Sequence, residues 1–217
     1  MYDQLLRYLE RWYNEEKLDT KEKAERVAKA KNHGCVLDED GHWRLGLKLR
    51  RRVLTDCVYG VDIDRQAVEV SQLSLYLKLL ENESASTARQ FMIELGGGRA
   101  SRLLPDLTKN IVCGNSLVDW ESVRKLALSP DEEKTLNPLN FSDEFPEIIS
   151  AGGFDAIVGN PPYEVVEKAR GEASWPHDLF MRAADRGGAF EPAFGGKLNL
   201  FRFFIVRAIQ LTTLGGR

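Results

Sequence analysis

Apolar positions along the chain fall into helical and strand-like stretches. Tyr2, Leu5, Leu6, Leu9, Trp12 and Tyr13 recur every three or four residues, which predicts an amphipathic helix from almost the first residue. Asp19 with Glu22 three residues on has the form of a capping box and predicts a second, charged helix to about Lys31, closed by Asn32-His33-Gly34. Val36-Leu37, Asp40-Gly41, Trp43 and Leu45 predict a small hairpin around a tight turn. Cys57 to Asp64 reads as a buried strand ending in acids, with Asp64 placed to cap the next helix. That helix, from about Arg65 to Glu81, is apolar on most sides and is expected to be well buried. Ile111-Val112-Cys113 predicts a short strand leading into Gly114-Asn115-Ser116-Leu117, and Leu200 to Leu211 a helix stopped by Gly215-Gly216. Residues 131–148, acidic and holding Pro138 and Pro146, read as a surface connection.

The stretch with the clearest chemistry is Phe154-Asp155-Ala156-Ile157-Val158-Gly159-Asn160-Pro161-Pro162-Tyr163. Its first five residues read as a buried strand entered from the Gly152-Gly153 turn. The prolines end it abruptly, because they lack an N–H and fix φ, and Asn160 before a proline is held extended. A rigid loop at the carboxyl end of a strand, presenting an amide, carbonyls and an aromatic ring, suits a planar amine. Residues 164–197 form a long polar, glycine-rich stretch carrying Trp175, Phe180, Phe190 and Phe194. These aromatics are placed either to stack on a displaced base or to pack the loop on itself.

Composition narrows the classes. No apolar run approaches the roughly 20 residues that cross a bilayer, so a soluble, cytoplasmic chain without a membrane partner is expected. Cys35, Cys57 and Cys113 are widely spaced and, with His33, His42 and His177, offer no metal-ligand pattern. No metal site is expected, and the cysteines read as buried, reduced thiols. The net charge of −3 places any contact with DNA on local patches. One is the cluster Lys48, Arg50, Arg51 and Arg52, which reads more readily as a solvated helix face. Gly96-Gly97-Gly98 alone is too weak a signal for a phosphate loop.

Asn160-Pro161-Pro162-Tyr163 resembles the catalytic motif of amino-methyltransferases that use S-adenosylmethionine, above all the adenine-N6 DNA methyltransferases. The order of acid-ended strand, helix, Gly-Asn-Ser-Leu and Asn-Pro-Pro-Tyr is similar to the large adenine methyltransferases of restriction-modification systems. The resemblance implies an α/β, Rossmann-like fold with S-adenosylmethionine as cofactor and DNA as partner. It implies Asp62 as acceptor for the cofactor's ribose diol, Ile63 beside it, and Asn115 with Ser116 at its adenine. Asn160 and Pro161 would accept the hydrogens of the target amine, beside Pro162, and Tyr163 would stack on a base flipped from the duplex. No Pro-Cys dipeptide occurs, which excludes methylation at the cytosine ring carbon.

Read this way, residues 1–55 are a helical and hairpin N-terminal part, 56–163 hold the cofactor and catalytic strands, and 164–217 hold the following loop and helix. The resembling enzymes open with a strand and a glycine-rich loop around the cofactor's methionine, and no such stretch precedes Tyr2. Together with the stop at Gly215-Gly216-Arg217, this gives the expectation of an internal fragment. It would be a partial fold without its first strand, with an interrupted sheet and a need for a complementing polypeptide. The expected activity is adenine methylation in a restriction-modification or phage-defence system. The alternatives are a non-catalytic fragment or DNA-binding subunit, and a protein-glutamine or RNA methyltransferase.

Overall fold

The computed structural model describes residues 1–217 except 17, 82, 85, 87, 88, 90–103, 125, 127, 163–179, 181–187, 195–198 and 217. Gly96-Gly97-Gly98, Tyr163, Trp175 and most of the loop after Tyr163 lie outside the described residues. Two compact units share the chain: Met1–Gly60 with Glu69–Ile111, and Val61–Val68 with Val112–Arg217.

The first unit opens with α1 (Tyr2–Tyr13) and α2 (Thr20–Asn32). The expected capping box is present: Asp19 accepts from the Glu22 N–H at 2.8 Å, and Glu22 accepts from the Asp19 N–H at 3.3 Å. Strands β1 (Val36–Leu37) and β2 (Trp43–Arg44) form the expected hairpin, pairing Val36 with Arg44 and Leu37 with Trp43 across a turn in which Gly41 has φ 80°. Asn14 holds β2 to the end of α1 by imitating a neighbouring strand: its Oδ1 accepts from the Trp43 N–H at 2.7 Å and its Nδ2 donates to the Trp43 carbonyl at 2.8 Å. Helix α3 (Leu47–Cys57) follows, and Leu6, Tyr13, Ala30, Val53, Leu54 and Leu79 are among the residues that close the core.

Two expectations fail here. Arg50, read as part of a solvated face, is 9% exposed. Its guanidinium donates to the carbonyls of Lys78 (2.6 Å) and Glu81 (2.9 Å) and to the Glu83 carboxylate (3.0 Å), so it caps the C-terminus of α4 (Arg65–Leu80). Helix α4 itself is not well buried, since Val70, Leu73 and Leu77 are 62%, 56% and 64% exposed. Val68 and Leu79 are buried, and the remaining apolar positions exceed what one packed face can take.

Strands β3 (Gly60–Asp62) and β4 (Ile111–Cys113) form a second two-stranded sheet. The Gly60 N–H donates to the Asn110 carbonyl and the Gly114 N–H to the Asp62 carbonyl, each at 2.8 Å. The paired numbers rise together, so the strands are parallel. Cys57 ends α3 rather than starting the strand.

In the second unit, residues 131–148 are not a plain surface connection. Ser129 and Glu132 form a capping box for α6 (Pro130–Leu136), which lies between α5 (Trp120–Arg124) and the short α7 (Phe141–Glu144) and α8 (Pro146–Ser150). Leu136, Leu139 and Phe145 are buried. The alternation of acids with single apolar residues disguised three helical turns as a loop. A 3-10 turn (Glu191–Ala193) and α9 (Leu200–Leu211) complete the unit. Phe203 of α9 is fully buried at the centre of Phe180, Phe190 and Phe194, with ring centroids 5.1–5.7 Å away. Of the two readings of these loop aromatics, packing holds for these three.

The largest correction concerns Phe154–Val158. Phe154 alone is bridged, in parallel, to Thr212: its N–H donates to the Leu211 carbonyl (2.8 Å) and its carbonyl accepts from the Thr213 N–H (3.0 Å). Residues 155–158 form no strand, and Val158 is 80% exposed. An apolar run becomes a strand only where a neighbour meets its backbone groups, and among the described residues none does so beyond Phe154. No continuous sheet joins β3, β4 and this segment among the described residues.

Candidate functional site

The carboxyl ends of β3 and β4 gather four of the residues singled out by sequence. Asp62 ends β3 with its carboxylate exposed and fixed, Oδ1 accepting from the Asp64 N–H at 2.8 Å. Asp64 in turn accepts from the Gln66 N–H at 2.8 Å, the cap expected for α4. Ile63 between the two acids is 56% exposed.

At the end of β4, Gly114 permits a close approach. A Cβ there would stand 2.5 Å from Leu139 Cδ1 and 2.7 Å from Leu139 Cβ, so no other residue fits against the 137–140 segment. Asn115 then forms a parallel bridge with Pro138, its N–H donating to the Asn137 carbonyl at 2.7 Å. The Asn115 side chain is turned onto its own loop, Oδ1 accepting from the Leu117 N–H at 3.0 Å. Ser116 beside it is half-buried.

Two residues at this site were not anticipated. Cys113, read as a buried thiol, is exposed, as is Cys57; only Cys35 is buried. Its S–H donates to the Ile63 carbonyl at 3.5 Å, and its sulfur accepts from Asn137 Nδ2 at 3.4 Å. Asn137 follows α6 in the left-handed region, with φ 46° and ψ 57°. The available signal was Asn137-Pro138 after the Ser129-Pro130 helix start, since asparagine is the residue besides glycine that tolerates such a cap.

Behind these loops Arg207 of α9 donates to the Leu117 carbonyl (3.2 Å), lies 3.7 Å from Asp119 and stacks on Phe190 with its Cζ 4.7 Å from the ring centroid. Burial pushes its pKa below the ordinary arginine value, and the Asp119 carboxylate opposes the shift.

Asn160 and Pro162 are exposed and Pro161 is half-buried, on backbone without regular structure. Among the described residues no hydrogen bond joins them to the Asp62–Asn115 group. The structure brings Asp62, Ile63, Asn115 and Ser116 together at the ends of β3 and β4, and carries Asn160, Pro161 and Pro162 on backbone without regular structure.

What the strand ends offer is a fixed carboxylate, an exposed aliphatic side chain and two amides. That set fits a nucleoside, with acceptors for a diol, an apolar plate for a ring and amide groups for its edge. No group of three or more histidine, cysteine, aspartate or glutamate side chains suited to a metal ion occurs among the described residues. Among them, too, no helix is long and apolar enough to cross a membrane.

Comparison with known proteins gives the chain a family. RM.Eco57I of Escherichia coli, a type II restriction enzyme and methyltransferase, is 29% identical over 170 residues, 78% of this chain and 14% of that protein. RM.MjaORFECS2P of Methanocaldococcus jannaschii, of the same restriction-and-methylation type by name, is 38% identical over 79 residues, 36% of this chain and 6% of that protein. The chain thus spans a small part of the length of these relatives, and no solved structure matches it. The family model of the Eco57I restriction-modification methylase matches residues 56–217, from the last turn of α3 through α9, and the chain belongs to that family.

Proposed function

We propose that the chain is part of the catalytic domain of a site-specific DNA adenine methyltransferase in a restriction-modification system, with a Rossmann-like fold and S-adenosylmethionine as its cofactor. The observation that carries this reading is one family match enclosing both the Asp62 strand end and Asn160-Pro161-Pro162-Tyr163. Residues 56–163 hold the cofactor and catalytic segments and 164–217 the loop and helix that follow. The carboxylate of Asp62 would accept hydrogen bonds from the ribose diol, with Ile63 beside it and Asn115 and Ser116 on the side of the adenine.

Bound S-adenosylmethionine supplies a methyl group made electrophilic by the sulfonium. The protein's part is to make the adenine amine a competent nucleophile, since its lone pair is delocalised into the ring. Asn160 Oδ1 and the Pro161 carbonyl accept the two amine hydrogens, which favours a pyramidal nitrogen with its lone pair directed outward. Pro162 holds the turn rigid, and Tyr163 stacks on the flipped base. Catalysis by these residues is orientation and electrostatics, with no covalent intermediate on the protein.

The test is calorimetric titration of S-adenosylmethionine into the 217-residue chain, followed by transfer of labelled methyl to duplex DNA and nucleoside digestion. Saturable binding, lost in Asp62→Ala, and label in N6-methyladenine, lost in Asn160→Ala, are expected. A folded chain that takes up no cofactor and binds duplex DNA would instead establish a non-catalytic DNA-binding part. Label on glutamine or RNA in place of DNA would move the substrate class.

A further inference from the structure

We propose that Asn137, and not Asn115, supplies the hydrogen-bond acceptor that selects adenine in the nucleoside subsite at the ends of β3 and β4. The inference rests on the cofactor reading above and adds to it the residue that sets base specificity.

Asn115 is the residue that sequence points to, but its side-chain oxygen is already engaged by the Leu117 N–H at 3.0 Å. An amide oxygen can accept twice, but that bond turns Asn115 onto its own loop, and the Asn137 amide beside it offers an exocyclic amine a second acceptor. The Asn137 backbone is pinned alongside, its carbonyl accepting from the Asn115 N–H at 2.7 Å. The orientation of its amide follows from the thiol between the two loops. The Cys113 S–H is directed at the Ile63 carbonyl at 3.5 Å, so the sulfur is left to accept, and the group facing it at 3.4 Å is the Asn137 Nδ2. That bond holds the nitrogen inward and leaves Oδ1 as the amide's acceptor, at a strand end whose apolar surface is Ile63, 56% exposed.

A structural account competes with this one. Asparagine is a common residue in the left-handed position after a helix, and φ 46° alone would explain its presence. The two accounts differ in what glycine does. Glycine adopts the same backbone at no steric cost, so Asn137→Gly keeps the turn and removes only the amide.

The experiment measures binding of S-adenosylhomocysteine and of S-inosylhomocysteine, in which a carbonyl replaces the exocyclic amine, to the 217-residue chain, Asn137→Gly and Asp62→Ala. The chain is expected to prefer the adenosyl compound by about 100-fold, because a site built to pair a polar group rejects the analogue lacking it. Asn137→Gly is expected to weaken adenosyl binding about 10-fold and to bring the two compounds within about 3-fold of each other, at unchanged melting temperature. Cys113 gives an independent readout. Alkylation mapped by mass spectrometry should be faster at Cys113 in Asn137→Gly than in the parent chain and unchanged at Cys57, with S-adenosylhomocysteine slowing it in the parent. If Asn137→Gly binds and discriminates as the parent does, Asn137 is only a helix cap and the inference is overturned while the cofactor reading stands. If the folded parent binds neither compound, the cofactor reading fails and the inference with it.

Discussion

At the scale of single residues, the parallel pair β3–β4 depends on a buried side chain with no catalytic part. Asn110, 6% exposed, precedes β4 and donates both hydrogens of Nδ2, to the carbonyls of Thr55 (2.8 Å) and Val58 (3.0 Å). Those carbonyls end α3 and lead into β3, and the one at Val58 is buried, with no water to turn to when unmet. Asn110→Ala leaves both without this donor and is expected to lower stability by about 2–3 kcal/mol, by the cost of buried groups left unpaired. Urea unfolding followed by circular dichroism would measure it. A change below about 0.5 kcal/mol, typical of surface positions, would mean that the contact is not formed in solution.

At the scale of elements, α4 joins the Asp62 turn to the body of the first unit, and its two ends are held differently. Asp64 caps its start through a local bond legible in the sequence. Its end is capped by Arg50, far away in the chain, with Glu83 as the arginine's ion partner; both side chains are only 11–12% exposed. Arg50→Met keeps the stem and deletes the cap, stranding the Glu83 carboxylate. It is expected to cost about 3–5 kcal/mol, as for breaking one side of a buried pair. Hydrogen exchange should show the loss first as fraying of the last turn of α4. Protection unchanged through Leu80 would count against the cap.

This contrast also shows what the sequence could tell. Features fixed by near neighbours were legible: the Asp19–Glu22 box, the Asp40-Gly41 turn and Asp64 as cap. Features fixed by distant partners were not. Arg50 reads as surface until α4 supplies carbonyls, and Phe154–Val158 reads as a strand although only Phe154 finds a bridge. Of the site, the gathering of Asp62, Ile63, Asn115 and Ser116 was expected from the family resemblance, with strand-end logic behind Asp62. Asn137 and Cys113 were missed because a left-handed asparagine and an exposed thiol acquire meaning only once α6 returns its end to β4.

At the scale of the whole molecule, burial of the N-terminal helix makes stability depend on alkaline pH. The ring of Tyr2 is 4% exposed and its hydroxyl donates to the Arg50 carbonyl at 2.9 Å. Burial pushes its pKa up to about 12 from 10.0, with the nearby Arg50 and Lys78 charges opposing the shift. The sign follows from linkage. Below pH 10 the phenol is neutral in both folded and unfolded chains and the contribution is fully present. Between pH 10 and 12 the unfolded chain releases the proton first, so unfolding is favoured as pH rises. A shift of two units corresponds to about 2.7 kcal/mol lost across that window. Tyr2→Phe removes both the ionisation and the hydrogen bond. The variant should be less stable than the parent at pH 8 by about 1 kcal/mol, and the difference should shrink and then reverse by pH 12. Urea midpoints for the two proteins between pH 8 and 12 would show the crossing. Parallel curves would mean that Tyr2 ionises freely and that α1 is not seated against Arg50, which would remove with it the anchor from which Arg50 caps α4.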